Sequence, residues 1–225
     1  MKPSRVFYLH GFASSATSTK AGYFAERLRA HDLRLDCPDF NEPDFATLTL
    51  TRMIDRLGSA LADGGVRPEP DATSGAVTLI GSSLGGTLAI LAAAKFPSTI
   101  DRVVLLAPAV MFAKPGHHLL PPERIEEWKR RGALPFFHYA YGEERLLNVS
   151  FYEDSLRHDA FNAVIQQPTI AFQGLRDASV DYRTVEAFAQ ARPNVTLSLL
   201  DDDHQLTASL PRMWEGVAPF LGLVE

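Results

Sequence analysis

A single cysteine, Cys37, occurs in 225 residues. This excludes an internal disulfide and any cluster of thiolates around a metal. A basic excess is missing too. The 27 acidic and 22 basic side chains leave a net charge of −5, whereas a protein built on nucleic-acid contacts needs a positive field to displace counterions. The one basic run, Lys129-Arg130-Arg131, reads as the cationic last turn of a helix stopped at Gly132. No apolar stretch approaches the roughly 20 residues of a membrane span, and Val6 to Leu9 is too short for the core of a signal peptide. The sequence has no internal repeat, no G-x-G-x-x-G and no Walker loop, and His117-His118 lack the i, i+4 spacing of a helical metal site. The expectation is a soluble, cytoplasmic chain with no cofactor or metal and no nucleic-acid or membrane partner; nothing in it specifies an oligomeric state.

What is present is alternation. Val6 to Leu9, Leu33 to Leu35, Val77 to Ile80, Val103 to Leu106, Thr169 to Phe172 and Val195 to Leu200 are short, nearly continuous apolar runs, as in strands covered on both faces. Between them lie segments with one apolar stripe. Leu50, Ile54, Leu57 and Leu61 form one such stripe, ending at Gly64-Gly65. Leu206, Leu210, Met213, Trp214, Val217 and Phe220 form another. This order predicts one α/β domain over residues 1–225, a mainly parallel sheet with helices on both faces and right-handed crossovers. Two segments break the rhythm. Residues 64–75, with three Gly and two Pro, read as a surface loop. Residues 111–160 are a longer interruption. Nine of the 22 aromatics fall between Phe112 and Phe161, with four histidines and one amphipathic helix at Pro122 to Arg131. The expectation is a lid inserted over the sheet.

Gly81-Ser82-Ser83-Leu84-Gly85 lies between a strand and an alanine-rich helix. This G-x-S-x-G pattern lifts Ser83 above a sheet on a strained turn, which glycines two residues to either side permit, and points the positive end of the next helix at developing charge. The alternative is a tight strand-to-helix turn whose serine is idle. A serine hydroxyl needs a base, and the base an orienting acid. Asp177 follows the strand ending at Phe172, and His204 follows the strand ending at Leu200, giving the chain order Ser83, Asp177, His204. Asp177 could instead cap a helix, and Asp201, Asp202 and Asp203 are rival acids that read better as a solvated turn. After the first strand, His10-Gly11-Phe12 offers the Phe12 backbone N–H to an oxyanion, with the Leu84 N–H as its partner. His10 reads as a structural imidazole, Cys37 as a buried structural thiol, and the polar run Ser14 to Lys20 as helix capping with a possible touch on substrate.

With these residues in place the chain resembles the α/β-hydrolase superfamily over nearly its whole length. Tyr8-Leu9-His10-Gly11-Phe12, Ser14-Ser15, Thr19-Lys20-Ala21 and the Ser83 turn resemble the small YqiA/YcfP-type bacterial esterases. Gln173 stands where such proteins often have His, and Asp203 where Gly is common. The resemblance implies the α/β-hydrolase fold with a reduced sheet of about six strands. It also implies hydrolysis of a small carboxylic ester through an acyl-enzyme on Ser83, with no cofactor. The same triad would serve a thioesterase or a small amidase, and a relative that binds a ligand without turnover is a further alternative. The aromatic lid points to a partly apolar acyl or aryl group, although packing of the lid itself would give the same composition.

Overall fold

The computed structural model describes residues 2–63, 77–112, 114, 116–117 and 120–223. The expected loop at 64–75, the Gly64-Gly65 helix end and His118 lie outside the described residues. The elements run β1 (Arg5–Leu9), α1 (Thr19–Arg29), β2 (Leu35–Asp36), α2 (Leu50–Ala62), β3 (Val77–Ser82), α3 (Leu84–Lys95) and β4 (Ile100–Leu106). Then follow α4 (Pro122–Arg131), β5 (Ala133–His138), β6 (Glu143–Asn148), α5 (Ser150–Ser155), β7 (Thr169–Gly174), α6 (Tyr182–Gln190), β8 (Val195–Leu200) and α7 (Leu210–Phe220).

Six strands form one sheet in the order β2-β1-β3-β4-β7-β8, every pair parallel. The apolar strands face a helical layer on each side, and their side chains alternate between two cores, as a period of two requires. Phe7, Leu9, Leu79, Val103 and Leu105 join residues of α2, α3 and α6. Val6, Tyr8, Ile80, Val104 and Leu106 join residues of α1 and α7. Helix α3 is buried almost all round, so its Gly, Ala, Leu and Ile residues need no polar face. The strand order reverses between β1 and β3. In an open parallel sheet, this is where the loops at the carboxyl ends diverge and leave a crevice.

β4 begins at Ile100 rather than Val103 and β7 runs on to Gly174; three further boundaries differ from expectation for local reasons. The second strand forms at Leu35–Asp36 rather than from Leu33, because the Leu33 N–H still bonds back to Leu28 and Asp32 turns left-handed at φ 56°. β3 runs on through Gly81 and Ser82, which stay in register with Leu105 and Leu106. The last helix begins at Leu210 rather than Leu206, which has φ 54°, while Asp202 takes the Ser209 N–H.

The segment between β4 and β7 contains an antiparallel pair, β5–β6, that sequence periodicity did not reveal. Only Leu134, His138 and Leu147 of its strands are buried, and β6 opens with exposed Glu143, Glu144 and Arg145. With so little alternation the pair is held by what packs on it. The Trp128 indole donates to the Leu147 carbonyl at 2.8 Å. Phe112, Trp128, Leu134, Leu147 and Phe151 belong to the same buried cluster as α2 and α3.

Candidate active site

At the end of β3, Ser83 adopts φ 55° and ψ −116°, a backbone conformation that costs a non-glycine residue on the order of 1–3 kcal/mol. Its surroundings enforce the conformation. The Ser83 N–H donates to Leu106 at 2.9 Å, and its carbonyl accepts from Gly86, Thr87 and Ala109 at 2.9, 3.2 and 3.2 Å. The flanking glycines are steric necessities. A Cβ on Gly81 would stand 2.3 Å from the Gly85 oxygen, and one on Gly85 would stand 1.9 Å from the Leu9 oxygen.

The turns after β7 and β8 converge on this point. His204 Nε2 lies 3.1 Å from Ser83 Oγ, and His204 Nδ1 lies 2.8 Å from Asp177 Oδ2. The structure therefore brings together the three side chains that the sequence singled out, across separations of 94 and 27 residues. With Nδ1–H donated to the carboxylate, Nε2 is left with a lone pair toward the hydroxyl, the tautomer a general base requires. The Asp177 carboxylate is fully buried, and burial alone would raise its pKa. Hydrogen bonds from His204, the Val180 N–H and Gln173 outweigh that and hold the group below the usual carboxylate range. Asp177 also does local work, since Oδ1 accepts the N–H groups of Ser179 and Val180 at 2.8 Å each. It does not cap α6; Asp181 does.

The adjacent β1 turn supplies the facing wall. Leu9 is in register with Gly81, so Gly11 and Phe12 emerge beside Ser83 and Leu84, at the reversal of strand order. Phe12, Ser83, Leu84 and His204 all line one cavity of about 1340 Å³. The Phe12 ring packs against Phe45, Phe136 and Phe151 at centroid distances of 5.5–5.6 Å. Two of those rings come from the segment between β4 and β7, which thereby fixes the turn carrying the Phe12 N–H. His10 is buried and braces the same turn: its Nε2 accepts the Phe40 N–H at 3.1 Å and its Nδ1 faces the Gly11 carbonyl at 3.0 Å.

Other expectations need correction. Asp202 is buried rather than solvated, and it accepts the N–H groups of Asp203 and Ser209. Cys37 is half-buried, and burial pushes its thiol up to about 11. Of the aromatics between Phe112 and Phe161, the cavity is lined by Phe112 and Tyr139, while Trp128 and Phe151 sit in the main core. Much of that aromatic content is packing. The cavity wall is instead rich in hydroxyls, from Ser14, Ser15, Thr17, Ser179, Thr184 and Thr207.

Two residues were missed as parts of the site. Gln173, noted only as a departure from pattern, donates from Nε2 to Asp177 Oδ2 at 2.9 Å and to the Val180 carbonyl at 3.2 Å. Lys20 was read with a capping run. Ser18 is indeed the cap of α1, accepting the Ala21 N–H, but Lys20 turns its side chain inward to line the cavity and donates to the Gln205 carbonyl at 2.7 Å. A lysine two residues after the cap, where a basic side chain opposes the helix dipole, was the available signal. Among the described residues there is no group of His, Cys, Asp and Glu able to hold a metal ion, and no helix long and apolar enough to cross a membrane.

Comparison with known proteins adds the lineage. A family model described as an uncharacterised protein family, UPF0227, matches residues 5–220. No curated protein matches the chain. Solved structures do. Est1E from Butyrivibrio proteoclasticus with bound ferulic acid shares a TM-score of 0.81 at 21% identity, over 98% of this chain and 88% of that one. Alpha/beta hydrolase domain-containing protein 10 from mouse gives 0.77 at 21%, over 99% and 92%. A monoacylglycerol lipase from Paleococcus ferrophilus gives 0.74 at 16%, over 98% and 95%. At such identities the likeness is one of fold, and the fold is that of the α/β-hydrolases.

Proposed function

The chain belongs to the UPF0227 family, whose description assigns no activity, and from its site we propose that it is a serine hydrolase cleaving small carboxylic esters through an acyl-enzyme on Ser83. The observation that carries this reading is the hydrogen-bonded line Ser83–His204–Asp177 opening onto a cavity. His204 Nε2 takes the Ser83 proton as Oγ adds to the ester carbonyl. Asp177 holds the ring and balances the imidazolium that forms. The carbonyl oxygen, now an oxyanion, is received by the N–H groups of Phe12 and Leu84 at the amino end of α3, each worth about 3 kcal/mol in the transition state. His204 then protonates the departing alcohol, and water activated by the same imidazole releases the acid.

That the solved likenesses include an esterase and a lipase supports the ester reading. The segment 111–160 serves as the cap of the site in this proposal, since Met111, Phe112, His117 and Tyr139 close one side of the cavity. The chain's lone cysteine, a free thiol, fits the reducing cytoplasm in which this proposal places the enzyme. The test combines a p-nitrophenyl ester series of rising chain length with labelling by a neutral fluorophosphonate and mass spectrometry of the adduct. The expected result is one covalent label, on Ser83, and turnover that peaks at a short or medium acyl chain. A wild-type protein that neither labels nor hydrolyses any of the esters would defeat the proposal.

A further inference from the structure

Lys20 is the one lysine or arginine lining the cavity among the described residues, and only 8% of it is exposed. Buried lysines are almost always paired with an anion, because an unpaired buried charge is costly. This one is not paired. Its ammonium has three donors, of which the Gln205 carbonyl takes one at 2.7 Å, and no described carboxylate forms an ion pair with it. The acids nearest to it are committed elsewhere: Asp177 to His204, Gln173, Ser179 and Val180, Asp202 to Asp203 and Ser209, and Asp203 to the Gln205 N–H. None of these three lines the cavity. Burial pushes the ammonium down to about 8, against the pull of Asp203, Asp177 and Asp202, so it is still charged near neutrality. The Gln205 carbonyl that anchors it is next in the chain to His204, so the ammonium is tied to the turn that carries the base, in the cavity that Ser83 also lines. Hydroxyls of Ser14, Ser15, Thr17 and Thr207 line the same cavity and add neutral donors.

We propose that the substrate carries an anionic group, a carboxylate in the simplest case, and that Lys20 binds it in the cavity beside Ser83. This rests on the serine-hydrolase reading and deepens it by naming the substrate class. An incoming carboxylate would complete the missing ion pair inside a partly desolvated site, where a charge-assisted bond is stronger than at a surface.

The test compares matched pairs of esters. Mono-p-nitrophenyl adipate against p-nitrophenyl hexanoate puts the charge on the acyl side. 4-Carboxyphenyl hexanoate against its 4-methoxycarbonyl counterpart puts it on the leaving side. In one of the two pairs the wild-type protein is expected to favour the anionic member by tenfold or more in kcat/KM. Lys20→Met should lower that ratio by at least tenfold, and Lys20→Arg should restore most of it. The pair showing the preference identifies the side that meets Lys20. A wild type with no preference in either pair overturns the proposal without any variant. So does an unchanged ratio in Lys20→Met, the result expected if Lys20 only ties down the His204 turn. Fluorophosphonate labelling of Ser83 in the wild type separates the two readings. Labelling without an anionic preference defeats the Lys20 proposal alone, and absence of both labelling and turnover defeats the hydrolase reading and this one with it.

Discussion

At the carboxyl ends of β3, β7 and β8, each turn carries a residue that its backbone neighbours specify almost completely. Gly85 has an oxygen 1.9 Å from where a Cβ would go, Ser83 is held at φ 55° by four backbone hydrogen bonds, and His204 stands between two fixed partners. The segment between β4 and β7 is built differently. Its hairpin has little alternation, and its helices α4 and α5 lean on one aromatic cluster that merges with the core of the sheet. One region is defined by points, the other by contact area. Side-chain truncations at Ser83 or His204 should therefore abolish chemistry while sparing the fold, and truncations in the second region should do the reverse.

The largest effect expected is at Ser83. Ser83→Ala removes a hydroxyl and leaves the strained turn held by the same backbone bonds, so turnover of a neutral p-nitrophenyl ester should fall by about four to six orders of magnitude. Thermal unfolding should stay within a few degrees of wild type. A variant retaining a tenth of the activity would show that the point-defined region is not the reacting centre.

Next comes the segment between β4 and β7. Trp128 is buried, packs on Phe136 at 5.0 Å and gives its indole N–H to Leu147. Trp128→Ala opens a large cavity in a core continuous with α2 and α3, and such truncations cost about 3–5 kcal/mol. Denaturant unfolding should show that loss in a single transition. A loss confined to a separate early transition would mean the segment folds by itself, and the contrast between the regions would have to be redrawn.

Gln173 tests the boundary between the two behaviours, since it is a buried strand residue that acts on the site. Its bond to Asp177 is charge-assisted, a class worth about 1.5–3 kcal/mol. Gln173→Leu keeps the volume and removes that donor. The expected loss in kcat is about tenfold, with KM little changed. The sign on pH is fixed by the depressed Asp177 carboxyl. Stability from this group is present above the ordinary carboxylate range and lost as pH falls through the lower, folded value. With one donor gone the folded value rises, so the acid side of the stability–pH curve should move to higher pH. Equal losses at every pH would leave Gln173 as packing only.

The same contrast explains what could be read without coordinates. Ser83, Asp177 and His204 were legible because each sits at a strand end marked by local signals, namely glycine spacing, an apolar run and chain order. The six-strand sheet was legible because strands buried on both faces leave continuous apolar runs. The β5–β6 pair was not, since Glu143, Glu144 and Arg145 point to solvent and its partner strand contains Pro135 and a buried histidine. Lys20 and Gln173 were seen as residues but not as parts of the site. Their roles depend on partners 185 and 4 positions away that only the folded chain brings within reach. Composition left the role of the segment between β4 and β7 open, because rings that brace Phe12 look the same in a sequence as rings that line a pocket.

The smallest effect expected is a pH dependence that isolates Lys20. Its ammonium lies near 8 rather than the ordinary 10.5, chiefly through burial. A lysine with a lowered folded pKa destabilises the fold while it stays charged, and that cost is relieved as pH rises from about 8 to 10.5, where the unfolded chain keeps a proton the folded one has lost. Recognition of an anion runs the opposite way, because it needs the charged form. The charged groups acting on Lys20 are Asp203, Asp177 and Asp202. His204 belongs to the catalytic line, and dividing the rate on the anionic ester by the rate on its neutral match at each pH cancels the part of the profile common to both. That ratio should hold steady up to about pH 7.5 and fall severalfold by pH 9. In Lys20→Arg it should stay flat, since guanidinium keeps its charge. A wild-type ratio flat to pH 9 would mean that the ammonium does not touch the substrate, and that the buried lysine is a packing element and not one of the points that do chemistry.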